Sequence, residues 1–254
     1  MAFVSRMKPV PFRTLAWLLT LLPITLHATC AIAVWTPTSL VLGADSMERV
    51  VNPTDAGRAI SDCKVQQMGN YYVLVSGLTK HPRTGFDTFG ILSTAIQQSG
   101  SVFEAADLAI AEIERGYAAV LRSARRNTDA RFVHSLEQNA PVFAIAGFEG
   151  GRPYLAHCSY DKIRGQWTWT KQLFPGAGPT PTSFTYLCEQ RGVSMYKGRH
   201  PNWRRDNPAK VVQGMISMES RILPEEVGGP VSLVVIDKNG AHWKERGVCP
   251  ARWR

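Results

Sequence analysis

Two short apolar runs, Cys30–Trp35 and Leu40–Ala44, are separated only by Thr36-Pro37-Thr38-Ser39. That spacing, with turn-forming residues between apolar segments, predicts a β-hairpin. The hairpin follows Thr29, and Thr29 follows a segment with the marks of a leader. Arg6, Lys8 and Arg13 give it a basic start. The stretch Leu15–Ile24 gives an apolar middle, too short and too interrupted by Pro23 for a membrane span. Leu26-His27-Ala28 ends on a small residue. Residues 1–28 therefore read as a signal peptide, and residues 29–254 as a single domain. Ala31-Ile32-Ala33 is a rival small-x-small cleavage site, and a cut there removes Thr29. A leader retained as an anchor leaves Thr29 internal.

The position of the cut decides the chemistry. Removal of residues 1–28 gives Thr29 a free α-amine, so one residue carries both a hydroxyl nucleophile and a base. The reference pKa of such an amine is about 7.7–8.0, which makes it available as a base near neutral pH. An internal threonine has no such partner.

Composition narrows the remaining classes. The chain has 254 residues, 44% hydrophobic and 19% charged, an ordinary globular balance with enough material for a substantial core. The formal net charge is +9, to which the leader contributes Arg6, Lys8 and Arg13 without any acid. Arginines gather at Arg122, Arg125, Arg126 and Arg131, and at Arg199, Arg204 and Arg205. No aromatic platform is interleaved with them, so they read as solvated faces and no nucleic-acid partner is expected. Five cysteines fit a secreted or periplasmic protein with one or two disulfides. Neither the cysteines nor the six histidines show metal-ligand spacing, so no metal is expected. Nucleophile-elbow, Walker and dinucleotide patterns are absent, and no cofactor is implied.

Along the chain, Met47–Asp62 reads as a polar connection. Lys64–Met68 and Tyr71–Ser76 read as strands around a Gly69-Asn70 turn. Phe86–Gln98 has helical spacing, and Ser101-Val102-Phe103-Glu104 is a capping-box pattern opening a helix through Val120. Strands follow at Pro141–Phe148, Pro153–Ser159 and Gln166–Phe174. Thr182–Gln190 reads as a short helix. Asn207 and Pro208 open another, running to about Arg221. Val231–Asp237 and Ala241–Glu245 read as a closing hairpin. Periodicity alone gives an α+β chain.

The order of four short motifs carries a resemblance. The hairpin after Thr29, the Asp45-Ser46 pair, Cys63-Lys64-Val65 and the strand ending Val75-Ser76-Gly77 look like a proteasome β-type subunit, one of the N-terminal nucleophile hydrolases. The interval from Thr29 to Asp45 matches that family without a gap. The interval from Lys64 to Gly77 is one residue shorter, a difference placed at the Gly69-Asn70 turn. The resemblance runs to about Glu245. It implies a four-layer αββα sandwich, two antiparallel sheets between helix layers, and a hydrolase of peptide or other amide bonds for which a homo-oligomer is one open assembly; the leader adds export, and no later segment is apolar enough for a stable membrane span after processing.

Carried onto this sequence, the resemblance makes Thr29 the nucleophile. Lys64 becomes the cation beside it, Asp45 the group that holds Lys64 charged, and Gly77 a backbone donor to the oxyanion. Cys30 is the rival nucleophile. Strand parity beside Thr29 and Lys64 points Cys30 and Cys63 away from the active face, where they are expected to form a disulfide. Three positions depart from the family. Gly176-Ala177-Gly178 stands where it has a Gly-Ser-Gly loop, Met47 replaces a basic residue, and Pro224-Glu225 stands where an aspartate is usual. The alternative reading is a catalytically inactive proteasome-β-like fold that binds a ligand or a protein.

Overall fold

The computed structural model describes residues 30–49, 59–61, 63–127, 130–176, 182–187 and 190–249. The chain opens with strands β1 (Ala31–Trp35) and β2 (Ser39–Ala44), then β3 (Met47–Arg49), β4 (Ala59–Ser61), β5 (Val65–Met68) and β6 (Tyr71–Ser76). Short strands β7 (Lys80–His81) and β8 (Phe86–Asp87) lead into helices α1 (Thr88–Gln98), α2 (Val102–Asn127) and α3 (Ala130–Gln138). Next come β9 (Val142–Glu149), β10 (Arg152–Ile163), β11 (Gln166–Phe174) and β12 (Ser183–Tyr186). Helices α4 (Arg191–Arg199) and α5 (Pro208–Ile222) precede β13 (Ser232–Asp237) and β14 (Gly240–Glu245).

Two five-stranded antiparallel sheets dominate. The first runs β12-β1-β2-β13-β14 and the second β11-β10-β9-β6-β5. Their inner faces meet through Ala31, Ala33, Leu40 and Leu42 of the first sheet and Val65, Leu74, Ala144 and Leu155 of the second. The outer face of the second sheet packs Val73, Phe143 and Ile145 against Leu92, Ile113, Tyr117 and Leu136 of the first three helices. The outer face of the first sheet packs Ile32, Val34 and Val41 against Val193, Val212, Met215 and Ile216 of the last two. This mixed arrangement of two antiparallel sheets and five helices is compatible with an αββα sandwich.

Parity explains why β1 has no alternation. Successive side chains point to opposite faces. Ala31, Ala33 and Trp35 enter the layer between the sheets, while Ile32 and Val34 enter the layer under α5. With both faces covered, every position is buried and every residue is apolar. Full burial of a side chain such as Ile32 contributes about 1.5–3 kcal/mol. The turn between β1 and β2 closes with the Thr36 amide donating to the Ser39 carbonyl at 2.9 Å.

Several expected boundaries move. The connection Met47–Asp62 contains the paired strands β3 and β4. The first helix starts at Thr88 rather than Phe86, because the Asp87 carboxylate accepts from the Gly90 amide at 3.1 Å and ends the preceding strand there. At α2 the Glu104 amide donates to Ser101 Oγ at 3.2 Å, but the Glu104 carboxylate reaches back to Gly100 rather than Ser101. Helix α3 lies in a stretch with no predicted element. Within the expected helix Thr182–Gln190, the structure has a strand instead at Ser183–Tyr186, which pairs antiparallel with Ile32–Trp35, because β1 otherwise presents an unpaired edge. The helix in that region begins at Arg191.

The disulfide also differs. Cys63 is bonded to Cys249, not to Cys30. Cys30 packs in the apolar layer beneath α4 and α5, so the first sheet stands between it and β5. The C-terminal segment after β14 reaches Cys63 instead, pinned by Ser232 Oγ, which lies 3.0 Å from Cys249 Sγ and donates to the Arg246 carbonyl at 2.8 Å.

Candidate active site

Beyond the end of β2, Cys30 and Asp45 extend the hairpin by one further pair. The Asp45 amide donates to the Cys30 carbonyl at 3.0 Å, and the Cys30 amide donates to Asp45 Oδ1 at 2.7 Å. The same Oδ1 accepts from Lys64 Nζ at 2.8 Å. Asp45 Oδ2 accepts from the Gly228 amide at 2.9 Å and the Met47 amide at 3.2 Å. Lys64 Nζ also donates to the Met47 carbonyl. The two side chains are only 5% and 1% exposed. A buried ion pair survives its desolvation cost only when its remaining hydrogen-bonding capacity is filled. Asp45 meets that condition with three backbone amides besides its lysine.

Sequence reasoning thus named Asp45 and Lys64, and the structure brings them together. It did not foresee the part of Gly228. Gly228 follows the turn at the end of α5, where the Glu226 and Val227 amides both donate to the Leu223 carbonyl. Its carbonyl accepts from the Ser46 and Met47 amides at 3.2 and 3.1 Å. The next residue, Gly229, has φ +73°, and a Cβ there would stand 2.4 Å from Ser46 Oγ. The Gly228-Gly229 pair was therefore the available signal: two adjacent glycines where a loop passes close to buried polar groups. Pro224 and Glu225 lie within the preceding turn.

Gly77 follows β6 with φ +78°. A Cβ there would come within 2.2 Å of the Ala140 carbonyl oxygen, so the need for glycine is met by the neighbouring chain rather than by crowding of a substrate. Ser76 and Gly77 nevertheless line a cleft of about 610 Å³. It opens where the two sheets part. Along β10, alternate residues share a face. Leu155 lies in the inter-sheet core, and His157, Ser159 and Asp161 continue the same face into the cleft. Leu187 and Val227 close the other side. Burial pushes the His157 imidazole down to about 4, against the opposing pull of Asp161.

Thr29 and Ala177 lie outside the described residues. The described atom closest to Thr29 along the chain is the Cys30 nitrogen, to which it is covalently attached. Cys30 itself is buried with its side chain in the α4–α5 layer, and it is not among the residues that line the cleft. No group of three or more His, Cys, Asp or Glu side chains suited to a metal occurs among the described residues. No described helix is long and apolar enough to cross a membrane.

No family model matches the chain, and no curated protein matches it. Among solved structures, the fold is similar to that of the (Gly-1) mutant of Anbu from Hyphomicrobium sp. strain MC1, with a TM-score of 0.56 and 16% sequence identity. The match covers 88% of this chain and 89% of that one. Anbu is a bacterial proteasome-like protein, and the likeness is one of fold.

Proposed function

We propose that the chain is an exported N-terminal threonine hydrolase of peptide or other amide bonds, with the αββα architecture of the N-terminal nucleophile hydrolases. Signal-peptide removal after Ala28 exposes Thr29, and residues 29–254 form one domain that is secreted or periplasmic. Thr29 Oγ attacks the substrate carbonyl, and its own α-amine takes the proton. The Lys64 ammonium lowers the proton affinity of these groups and stabilises the developing oxyanion, aided by the Gly77 amide. Asp45 keeps Lys64 charged and in place. The observation that supports this reading most is the carboxylate of Asp45, which accepts from Lys64 Nζ and from the amide of the residue next to Thr29.

The same hydrogen bonds favour a second reading. An Asp45 carboxylate that also accepts from Met47 and Gly228 can serve purely to pin two loops, as in a non-catalytic binding fold. N-terminal sequencing of the exported protein separates the two. A mature chain beginning at Thr29, inactive as Thr29→Ala and partly active as Thr29→Ser, supports the hydrolase. A mature chain beginning at Val34 rules it out. Acetylation of the mature α-amine is expected to stop turnover, since an amide nitrogen is no useful base.

A further inference from the structure

The two main sheets end on β12 and β14 and on β11 and β5, and three of these four edges are guarded. Strands β5 and β12 have only 4 residues each. Strand β14 carries Lys244 and Glu245, and its pairing with β13 contains a register shift. Short edges, charged side chains and bulges are the usual devices against pairing with another chain. Strand β11 lacks them. It runs for 9 residues, Gln166–Phe174, without a proline, and its register with β10 has no shift. Its one charged residue is Lys171, whose ammonium is engaged by Asp107 of α2. The two-residue turn Arg164-Gly165, both at positive φ, makes Ile163 and Gln166 the closing hydrogen-bonded pair. Counting on by twos, Thr168, Thr170 and Gln172 bond to β10, and the N–H and C=O groups of Trp167, Trp169, Lys171 and Leu173 point outward. These outward groups have no strand beside them among the described residues.

We propose that β11 is a dimer interface, along which two copies of this chain pair antiparallel about a two-fold axis at Thr170 and join their second sheets into one. An antiparallel pairing matches a strand to itself, which is what a two-fold contact between identical chains requires. Outward groups meet outward groups only when the axis passes through a residue. Centred on Thr170, the two strands overlap over their full length, and any other centre leaves residues at one end unmatched. A centre at Lys171 would also oppose the two lysines, and like charges directly opposite are destabilising. With the axis at Thr170, Trp167 exchanges hydrogen bonds with Leu173 of the second copy, and Trp169 with Lys171 of the second copy. These side chains share the face packed on the helices, where Trp167, Trp169 and Leu173 are only partly buried. On the other face, Thr168 of the second copy meets Gln172, which lines the cleft beside Gly77. The second copy therefore extends the rim of that cleft. The interface does not depend on the hydrolase reading.

The test is sedimentation velocity of the mature chain across a micromolar concentration series, where the parent is expected to dimerise. Thr170 is exposed, so substitutions there leave the fold intact, as circular dichroism checks. T170K and T170D each place like charges on the axis and should each weaken the dimer at least tenfold. An equal mixture of the two variants pairs opposite charges and should restore association to near the parental level. Thr170→Cys should give a disulfide-linked dimer on air oxidation, because directly opposed residues at a non-hydrogen-bonded site lie about 4.5 Å apart at Cα, within disulfide reach. Thr168→Cys faces Gln172 of the second copy and should not cross-link. A monomeric parent, an oligomer indifferent to T170K, a mixture that stays dissociated, or equal cross-linking at both positions would each overturn the interface.

Discussion

Lys64 Nζ lies 2.8 Å from Asp45 Oδ1, and neither side chain is more than 5% exposed. The pair joins the start of the second sheet to the end of the first hairpin. Through Gly228 it also joins the loop that bounds the cleft. Its strength as a functional candidate and its weight in the fold therefore come from the same geometry.

Removing one partner separates these contributions. Lys64→Met is expected to lose about 3–5 kcal/mol of stability, because it leaves the Asp45 carboxylate buried without its cation. Asp45→Ala also strips an acceptor from the Cys30, Met47 and Gly228 amides, so its cost should be larger still. Urea unfolding of both variants checks the order. A Lys64→Met protein as stable as the parent would show that the pair is replaceable. Loss of activity in a folded lysine variant is interpretable only once this cost has been measured.

The Cys63–Cys249 bond is expected to hold the C-terminal segment and, through the residue before Lys64, the approach to the ion pair. The double variant Cys63→Ser, Cys249→Ser should lose about 2–5 kcal/mol. Non-reducing peptide mapping should recover Cys63 and Cys249 in one cross-linked fragment. A fragment joining Cys30 to Cys63 would contradict the structure.

Gly77→Ala meets two obstacles at once, a positive φ and the Ala140 carbonyl. A single strained backbone position costs about 1–3 kcal/mol, and the collision adds to it. Gly69 supplies the control. Its φ is +60°, but nothing lies within 4 Å of its Cβ position, so Gly69→Ala should cost only the backbone share. Thermal melts of the two variants should rank Gly77→Ala as the more damaging.

The elements legible in the sequence are those whose signals are local. The β1–β2 hairpin is written in two apolar runs and a turn, and α5 in Asn207, whose side chain accepts from the Ala209 and Lys210 amides. The misread elements depend on distant partners. Ser183–Tyr186 is a strand because β1 lies beside it, and nothing within those four residues says so. Helix α3 is short, and Tyr117 of α2, which donates to the Leu136 carbonyl, joins it to the rest only through tertiary contact. Cys63 found Cys249 across 186 positions because strand parity indicates which way a thiol points within its own sheet but not which layer that face enters. At the site, side chains were legible and backbone groups were not. Asp45 and Lys64 stand out by type and order, whereas the Gly228 amide has no identity until the loop is folded. His157 was missed for a similar reason: its place in the cleft follows from Leu155, two residues earlier on the same face.

His157 also gives the fold a pH dependence with a definite sign. In the unfolded chain its imidazole titrates near 6.5, and in the folded chain burial pushes that down to about 4. Between these values the unfolded state holds the extra proton, so acidification favours unfolding across that window. Stability should be unaffected by this group above about pH 6.5 and should fall progressively as pH drops towards 4. The full shift corresponds to roughly 3 kcal/mol. Asp161, the facing carboxylate, moderates the effect by drawing the imidazole pKa upward. His157→Gln keeps a polar side chain but cannot take up the proton. It should therefore flatten the stability profile between pH 6.5 and 4 relative to the parent, as measured by urea unfolding at half-unit intervals. Parallel profiles for the two proteins would mean that the imidazole is solvated in the folded chain, and that the cleft has no buried nitrogen to offer a ligand.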